Sequence, residues 1–226
     1  MRPMTLYAII IFCFSLSLLL FADAGLRHYN VSDTEWDHEF SKGKWEYLGK
    51  STVERARNSV ISGVFALGHA PSGRILDVGC GEGVLSDYLN VDQKKLYLGI
   101  DLSSAAITIA KKKRSTLNYM QADATAFPAP LGYTYDVIVF NEMLYYTDHS
   151  ALLQKYSAKE YLSKNGIIVI SVWYTNKSDF LKVSIFNDAG KILESVDSID
   201  ISGGRTGTGK SKNAIFFHIE AFRARH

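Results

Sequence analysis

A chain of 226 residues, 47% of them hydrophobic and 21% charged, is long enough for one α/β domain with a sizeable core and too short for two of typical size. A formal charge of +2 is close to balance and gives no sign of bulk electrostatic binding to nucleic acid, which normally shows as a markedly basic face or tail. Of the two cysteines, Cys13 sits in an apolar leader, so a processed chain holds only Cys80 and forms no internal disulfide.

Residues 6–21, LYAIIIFCFSLSLLLF, carry no charge, follow Arg2 and lead into Ala22-Asp23-Ala24. That is the layout of a secretory signal peptide over residues 1–24. The run is at the short edge of a membrane-spanning helix, so an uncleaved tether through residues 6–22 is the alternative. Both readings lead to the same expectation, a protein of the secretory pathway, exported or anchored. Residues 25–70 form an extension in which Trp36 and Trp45 stand in a polar setting, as packing anchors or as aromatics on the substrate side. The spacing of Tyr47, Val53, Val60, Ile61, Val64 and Phe65 predicts a helix over 46–67, a lid to the domain that follows.

Pro71-Ser72-Gly73 breaks the chain, and residues 71–226 read as an α/β domain. Ile75 to Gly83, ILDVGCGEG, is a short buried strand followed by a tight glycine-rich turn. Glycines at 79, 81 and 83 leave backbone N–H groups free to approach a ligand closely. A second strand over 95–100 leads to Asp101, with Leu102 beside it; an acid at this strand end is placed to bind the hydroxyls of a ribose. The spacing is G-x-G-x-G with Val84 in place of a last glycine, which disfavours a nicotinamide or flavin cofactor. Next come a helix over 103–114, a strand over 118–124 that carries Asp123, and a fourth strand over 135–140 whose exit is Asn141-Glu142-Met143-Leu144-Tyr145-Tyr146. A helix over 149–162, a strand over 166–173, a helix over 178–189 and strands over 192–201 and 215–222 complete the pattern. Alternating strands and helices imply a mainly parallel sheet covered on both faces.

The run acid-x-Gly-x-Gly-x-Gly with the later acid resembles the class I S-adenosylmethionine-dependent methyltransferases, matched here by Asp77, Gly79, Cys80, Gly81, Gly83 and Asp101. The resemblance spans about residues 67–223. It implies a seven-stranded sheet with helices on both faces and an antiparallel last strand between its neighbours. It also implies that S-adenosylmethionine is the cofactor, with Asp77, the glycine run, Asp101, Leu102 and Asn141 around it and Asp123 and Ala124 at its adenine. Arg55 or Arg57 on the lid helix would pair with the donor's carboxylate, Arg57 being preferred. The exit after the fourth strand lacks the Asn/Asp-Pro-Pro-aromatic turn of base-amine methyltransferases and looks like that of small-molecule enzymes. The expected partner is therefore a small-molecule acceptor, methylated at N or O, with no nucleic acid and no metal. Glu142 and His149 are the nearest general bases, and Tyr145 with Tyr146 would position the acceptor or surround a cation.

Two rivals remain at this point, a non-catalytic protein of the same fold that binds the donor or a partner, and a nucleotide-binding dehydrogenase. Residues 204–211, GRTGTGKS, satisfy the phosphate-loop pattern, but a phosphate loop must open a helix after an early strand, and this one precedes a β-prone segment. Arg205, Lys210 and Lys212 there read first as solvated loop, second as an attraction for an anionic acceptor.

Overall fold

A computed structural model describes residues 31–174, 180–204 and 214–225. The leader over 1–24, the tether over 6–22 and the loop that carries Arg205, Lys210 and Lys212 lie outside these residues.

Seven strands form one sheet in the order β3-β2-β1-β4-β5-β7-β6. They are β1 (Ile75–Val78), β2 (Tyr97–Asp101), β3 (Asn118–Gln121), β4 (Tyr135–Asn141), β5 (Leu162–Tyr174), β6 (Leu193–Gly204) and β7 (Ala214–Ala224). The first five are parallel, and β7 runs antiparallel between β5 and β6, as the resemblance implies. Side chains alternate across the strands, so Leu76, Ile138, Phe140, Ile168 and Ile170 fill the core on one face, and Ile75, Val137, Val139, Ile167 and Val169 fill it on the other. A sheet buried on both faces accounts for the near-continuous apolar runs in β4 and β5.

Six α-helices are described: α1 (Asp33–Ser41), α2 (Thr52–Val60), α3 (Val91–Lys95), α4 (Ser104–Lys113), α5 (His149–Tyr156) and α6 (Phe180–Ile192). α2 continues through a π-helical stretch, Ile61–Ala66, into a last α turn, Leu67–His69. The helix expected over 46–67 therefore starts later, because Ser51 is extended and separates α2 from a single 3₁₀ turn at Glu46–Gly49. α1 forms where no helix was expected. Ser32 accepts from the Glu35 N–H while Glu35 reaches back to the Ser32 N–H, a capping box that satisfies two otherwise unpaired donors.

The glycine run ends in a 3₁₀ helix, Val84–Tyr88, and the third strand stops at Gln121, which leaves Asp123 in the loop beyond it. The helix expected over 149–162 ends at Tyr156, and β5 begins four residues earlier than the expected strand. Residues 205–213 are bounded by two antiparallel strands, β6 and β7, and no helix follows them, so the phosphate-loop pattern lacks the setting that function needs.

β1 and β4 are neighbours, with β2 and β3 on one side and β5 on the other. Strand order reverses between them, and the carboxyl ends at such a point open into the crevice where sheets of this kind bind ligands.

Candidate active site

The turn after β1 and the exit from β4 face one cavity of about 1090 Å³ at that crevice. Gly79, Gly81 and Gly83 all have positive φ, at 72°, 53° and 78°. Gly79 cannot be replaced without displacement, because a Cβ there would stand 2.7 Å from Cβ of Met143 on the β4 exit. Asp101 closes the turn from β2, accepting from the Gly81 N–H at 2.8 Å with one oxygen and from the Ser103 N–H at 2.9 Å with the other. Each oxygen keeps a lone pair for a ligand hydroxyl. Burial pushes the Asp101 carboxyl up, against these two N–H groups.

Asp77 is 1% exposed. Its Oδ2 accepts from the Tyr97 hydroxyl at 2.7 Å, and its Oδ1 has no hydrogen-bond partner in the protein. Burial pushes this carboxyl up to about 7; the Tyr97 bond opposes the shift and nearby Asp101 adds to it. Gly99 stands opposite Asp77 in the ladder, and a Cβ on it would lie 2.8 Å from the Tyr97 oxygen. The bare backbone of Gly99 is thus what lets the hydroxyl reach the acid.

α2 supplies the opposite wall with Glu54, Arg57 and Asn58, all buried. Arg57 Nη1 is 2.7 Å from Glu54 and 3.7 Å from Glu142, its guanidinium lies over the Phe217 ring, and its Nε has no partner. The Asn141 amide donates to Asn58 at 3.1 Å, joining α2 to the end of β4, while Asn141 Oδ1 is left unpaired.

Glu142 is the one described non-glycine residue with positive φ, at 61°. The left-handed backbone turns its carboxylate back towards β5, where it accepts from Ser171 Oγ at 2.7 Å, from the Trp173 N–H at 2.9 Å and from the Tyr145 hydroxyl. Burial, then the charge of Glu142, hold the Tyr145 hydroxyl well above its ordinary range. A carboxylate with three donors is a brace rather than an exposed base.

An aromatic group covers the mouth. Trp36 meets Tyr146 edge to face at 4.9 Å and Trp45 at 5.9 Å, and Phe40 would lie 3.4 Å from a Cβ on Gly81. Asp37 pins α1 in place, accepting from Ser103 Oγ at 2.6 Å, Ser104 Oγ at 2.8 Å and the Ala105 N–H at 3.0 Å at the start of α4.

Of the residues singled out in the sequence, Arg57, Asp77, Gly79, Cys80, Gly81, Asp101, Leu102, Asp123, Ala124, Asn141, Glu142 and Tyr145 line this cavity. Two do not. Gly83 faces β3, where a Cβ would stand 2.5 Å from the Tyr119 oxygen, so it serves packing. His149, expected as a base, opens α5 and turns towards α6, where its Nε2 lies 3.1 Å from Asp188. Glu54, Asn58 and Phe217 were missed; no local motif marks them, and only the packing of α2 across the sheet brings them in.

Fold and site together define an α/β domain that cradles a nucleoside-containing ligand. Residues 53–200 match the methyltransferase domain family. The chain therefore belongs to that family, S-adenosylmethionine-dependent enzymes of Rossmann-like fold. It is 30% identical over 159 residues to the mitochondrial ubiquinone biosynthesis O-methyltransferase of Schizosaccharomyces pombe, covering 64% of this chain and 57% of that protein. A ubiquinone biosynthesis O-methyltransferase of Pasteurella multocida is 33% identical over 112 residues, 43% of this chain and 45% of that one. The chain thus spans about half the length of these curated relatives. The N-methyltransferase NodS from Bradyrhizobium japonicum, solved with S-adenosyl-L-homocysteine, shares the fold with a TM-score of 0.61 at 16% identity, over 80% of this chain and 92% of that one.

The relatives correct the expected localisation. The fission-yeast protein is by name mitochondrial, the bacterial one bears the same biosynthetic name, and neither name is that of an exported protein. Among the described residues no helix is long and apolar enough to cross a membrane.

Proposed function

We propose that this chain transfers a methyl group from S-adenosylmethionine to a small-molecule acceptor at nitrogen or oxygen. The observation that carries the reading is a set of three buried polar atoms without protein partners, Arg57 Nε, Asp77 Oδ1 and Asn141 Oδ1, on the walls of one cavity. A guanidinium donor and two acceptors complement a ligand end that bears both a carboxylate and an ammonium, and burying them unpaired would otherwise cost free energy. The bend needs glycine at position 79, where φ is 72° and a Cβ would meet Met143, and it brings the turn to the edge of the cavity.

Arg57 takes the donor's carboxylate, Asp77 and Asn141 its ammonium, Asp101 the ribose hydroxyls, and Asp123 with Ala124 the adenine. When bound, S-adenosylmethionine supplies a methyl carbon already made electrophilic by its sulfonium. The protein's own task is to hold the acceptor in line and keep water out. Trp36, Phe40 and Trp45 close the mouth, and the Glu142 brace fixes Tyr145 and the Tyr146 ring beside it. Incubation with S-adenosylmethionine and fractionated cell extract, followed by mass spectrometry, tests the reading. Released S-adenosylhomocysteine with a product heavier by one methylene is the expected result; donor binding without either would leave a non-catalytic binder.

A further inference from the structure

We propose that the acceptor is an amine, held as its ammonium against Glu54 and Glu142 and the rings of Trp36 and Tyr146, and methylated at nitrogen. The inference rests on the donor reading above and adds the chemical class of the acceptor.

Charge carries it. Glu54 and Glu142 share one guanidinium, Arg57, at 2.7 and 3.7 Å, and the three side chains are 7%, 17% and 4% exposed. One buried and one partly buried carboxylate share one cation, and the neutral donors on Glu142 spread its charge without cancelling it. This leaves a net negative charge where water screens it little. Burial pushes the Glu54 carboxyl up, Arg57 opposes this and Glu142 adds to it, so an incoming cation relieves a cost already present. Among the described residues that line the cavity, Arg57 is the one basic side chain, and no lysine or histidine stands there. Trp36 and Tyr146 bring aromatic rings to the mouth, and a ring face is the surface an ammonium prefers.

The chemistry of the step agrees. A hydroxyl acceptor must shed its proton and develop negative charge before two carboxylates, with the one guanidinium among the described lining residues engaged. An amine acceptor never passes through an anion. The ammonium yields one proton to Glu54, the freed nitrogen pair forms the N–C bond, and the C–S bond breaks with its pair going to sulfur. The products are a methylated ammonium and a neutral thioether.

The chain has three tryptophans, Trp36, Trp45 and Trp173, and all three line this cavity, so intrinsic fluorescence reports on it directly. Protein saturated with S-adenosylhomocysteine is titrated with phenethylamine, 4-ethylphenol and phenylacetate, which share a ring and differ in charge. Phenethylamine is expected to saturate at a concentration about tenfold or more below the other two, and Glu142→Gln to erase most of that preference. With S-adenosylmethionine instead, N-methylphenethylamine should form. Equal or tighter binding of the phenol or the carboxylate overturns the proposal, and so does absent amine saturation in protein that still binds S-adenosylhomocysteine. Failure of S-adenosylhomocysteine itself to bind removes the donor reading instead. If Glu142→Gln does not bind S-adenosylhomocysteine, the selectivity of the unaltered chain decides alone.

Discussion

Tyr97 donates its hydroxyl to Oδ2 of Asp77 across 2.7 Å, from the strand next to it, and Oδ1 of the same carboxylate has no partner in the protein. The acid at the root of the proposed donor site is thus only half satisfied. Its folded-state value of about 7 lies above the ordinary 3.8, so the folded chain holds a proton there that the unfolded chain has lost. Stability contributed by this group is full below about 4 and falls as pH rises towards 7. Tyr97→Phe removes the one donor, pushes the acid further up and extends the decline to higher pH. Urea unfolding should show a loss of about 1–3 kcal/mol at pH 8 and a smaller one at pH 5, where the acid is protonated in either protein.

A cationic ligand favours ionised Asp77. Binding of S-adenosylmethionine should therefore release a proton between about pH 4 and 7, and affinity should rise with pH across that window and level off above it. Calorimetry at pH 6 in two buffers of different ionisation enthalpy measures the release. Identical heats in the two buffers would mean that the acid does not face the ligand.

Asp37 holds α1 over the mouth of the cavity. Three hydrogen bonds at the start of α4, led by the one from Ser103, keep its carboxyl below the ordinary 3.8. Its contribution is present above that value and lost as pH falls through the depressed one. Asp37→Ala should cost about 1–2 kcal/mol and shift tryptophan emission to the red as Trp36 loses its packing on Tyr146. Limited proteolysis would then cut within α1 first, with the sheet intact.

His149 lies off the cavity and packs against α6. It is 6% exposed, and its Nε2 faces Asp188. His149→Ala should lower unfolding stability by about 1–3 kcal/mol with turnover unchanged at a temperature where the variant stays folded. A loss of turnover in folded protein would return it to the site.

The parts of the site legible in the sequence are those built from contiguous residues. Asp77 ends β1 with Val78, the turn that follows holds Gly79 and Gly81 at positive φ, which favours glycine, and Asp101 follows at the end of the next strand. Asn141 to Tyr146 was legible as a strand exit, but the role of Glu142 was not, because its left-handed φ and its partners Ser171 and Trp173 come from β5, 29 and 31 residues away. His149 was misplaced for a related reason, since nearness to the exit in sequence does not say which way the first residue of a helix points. α1 escaped notice because it is short and mostly polar; its signal was Ser32 with Glu35, the capping box. Glu54 and Asn58 entered the site only through the crossing of α2 over the sheet, which no local pattern encodes.

The central claim is that Asp101 and the glycine bend hold an adenosyl group in this cavity. Isothermal titration with S-adenosylhomocysteine, on the unaltered chain and on Asp101→Ala, addresses it most directly. One site per chain is predicted, weakened in the variant by about 1.5–3 kcal/mol for lost hydrogen bonds to a charged group. Equal affinity in the two proteins, or a preference for NAD over S-adenosylhomocysteine, would contradict it.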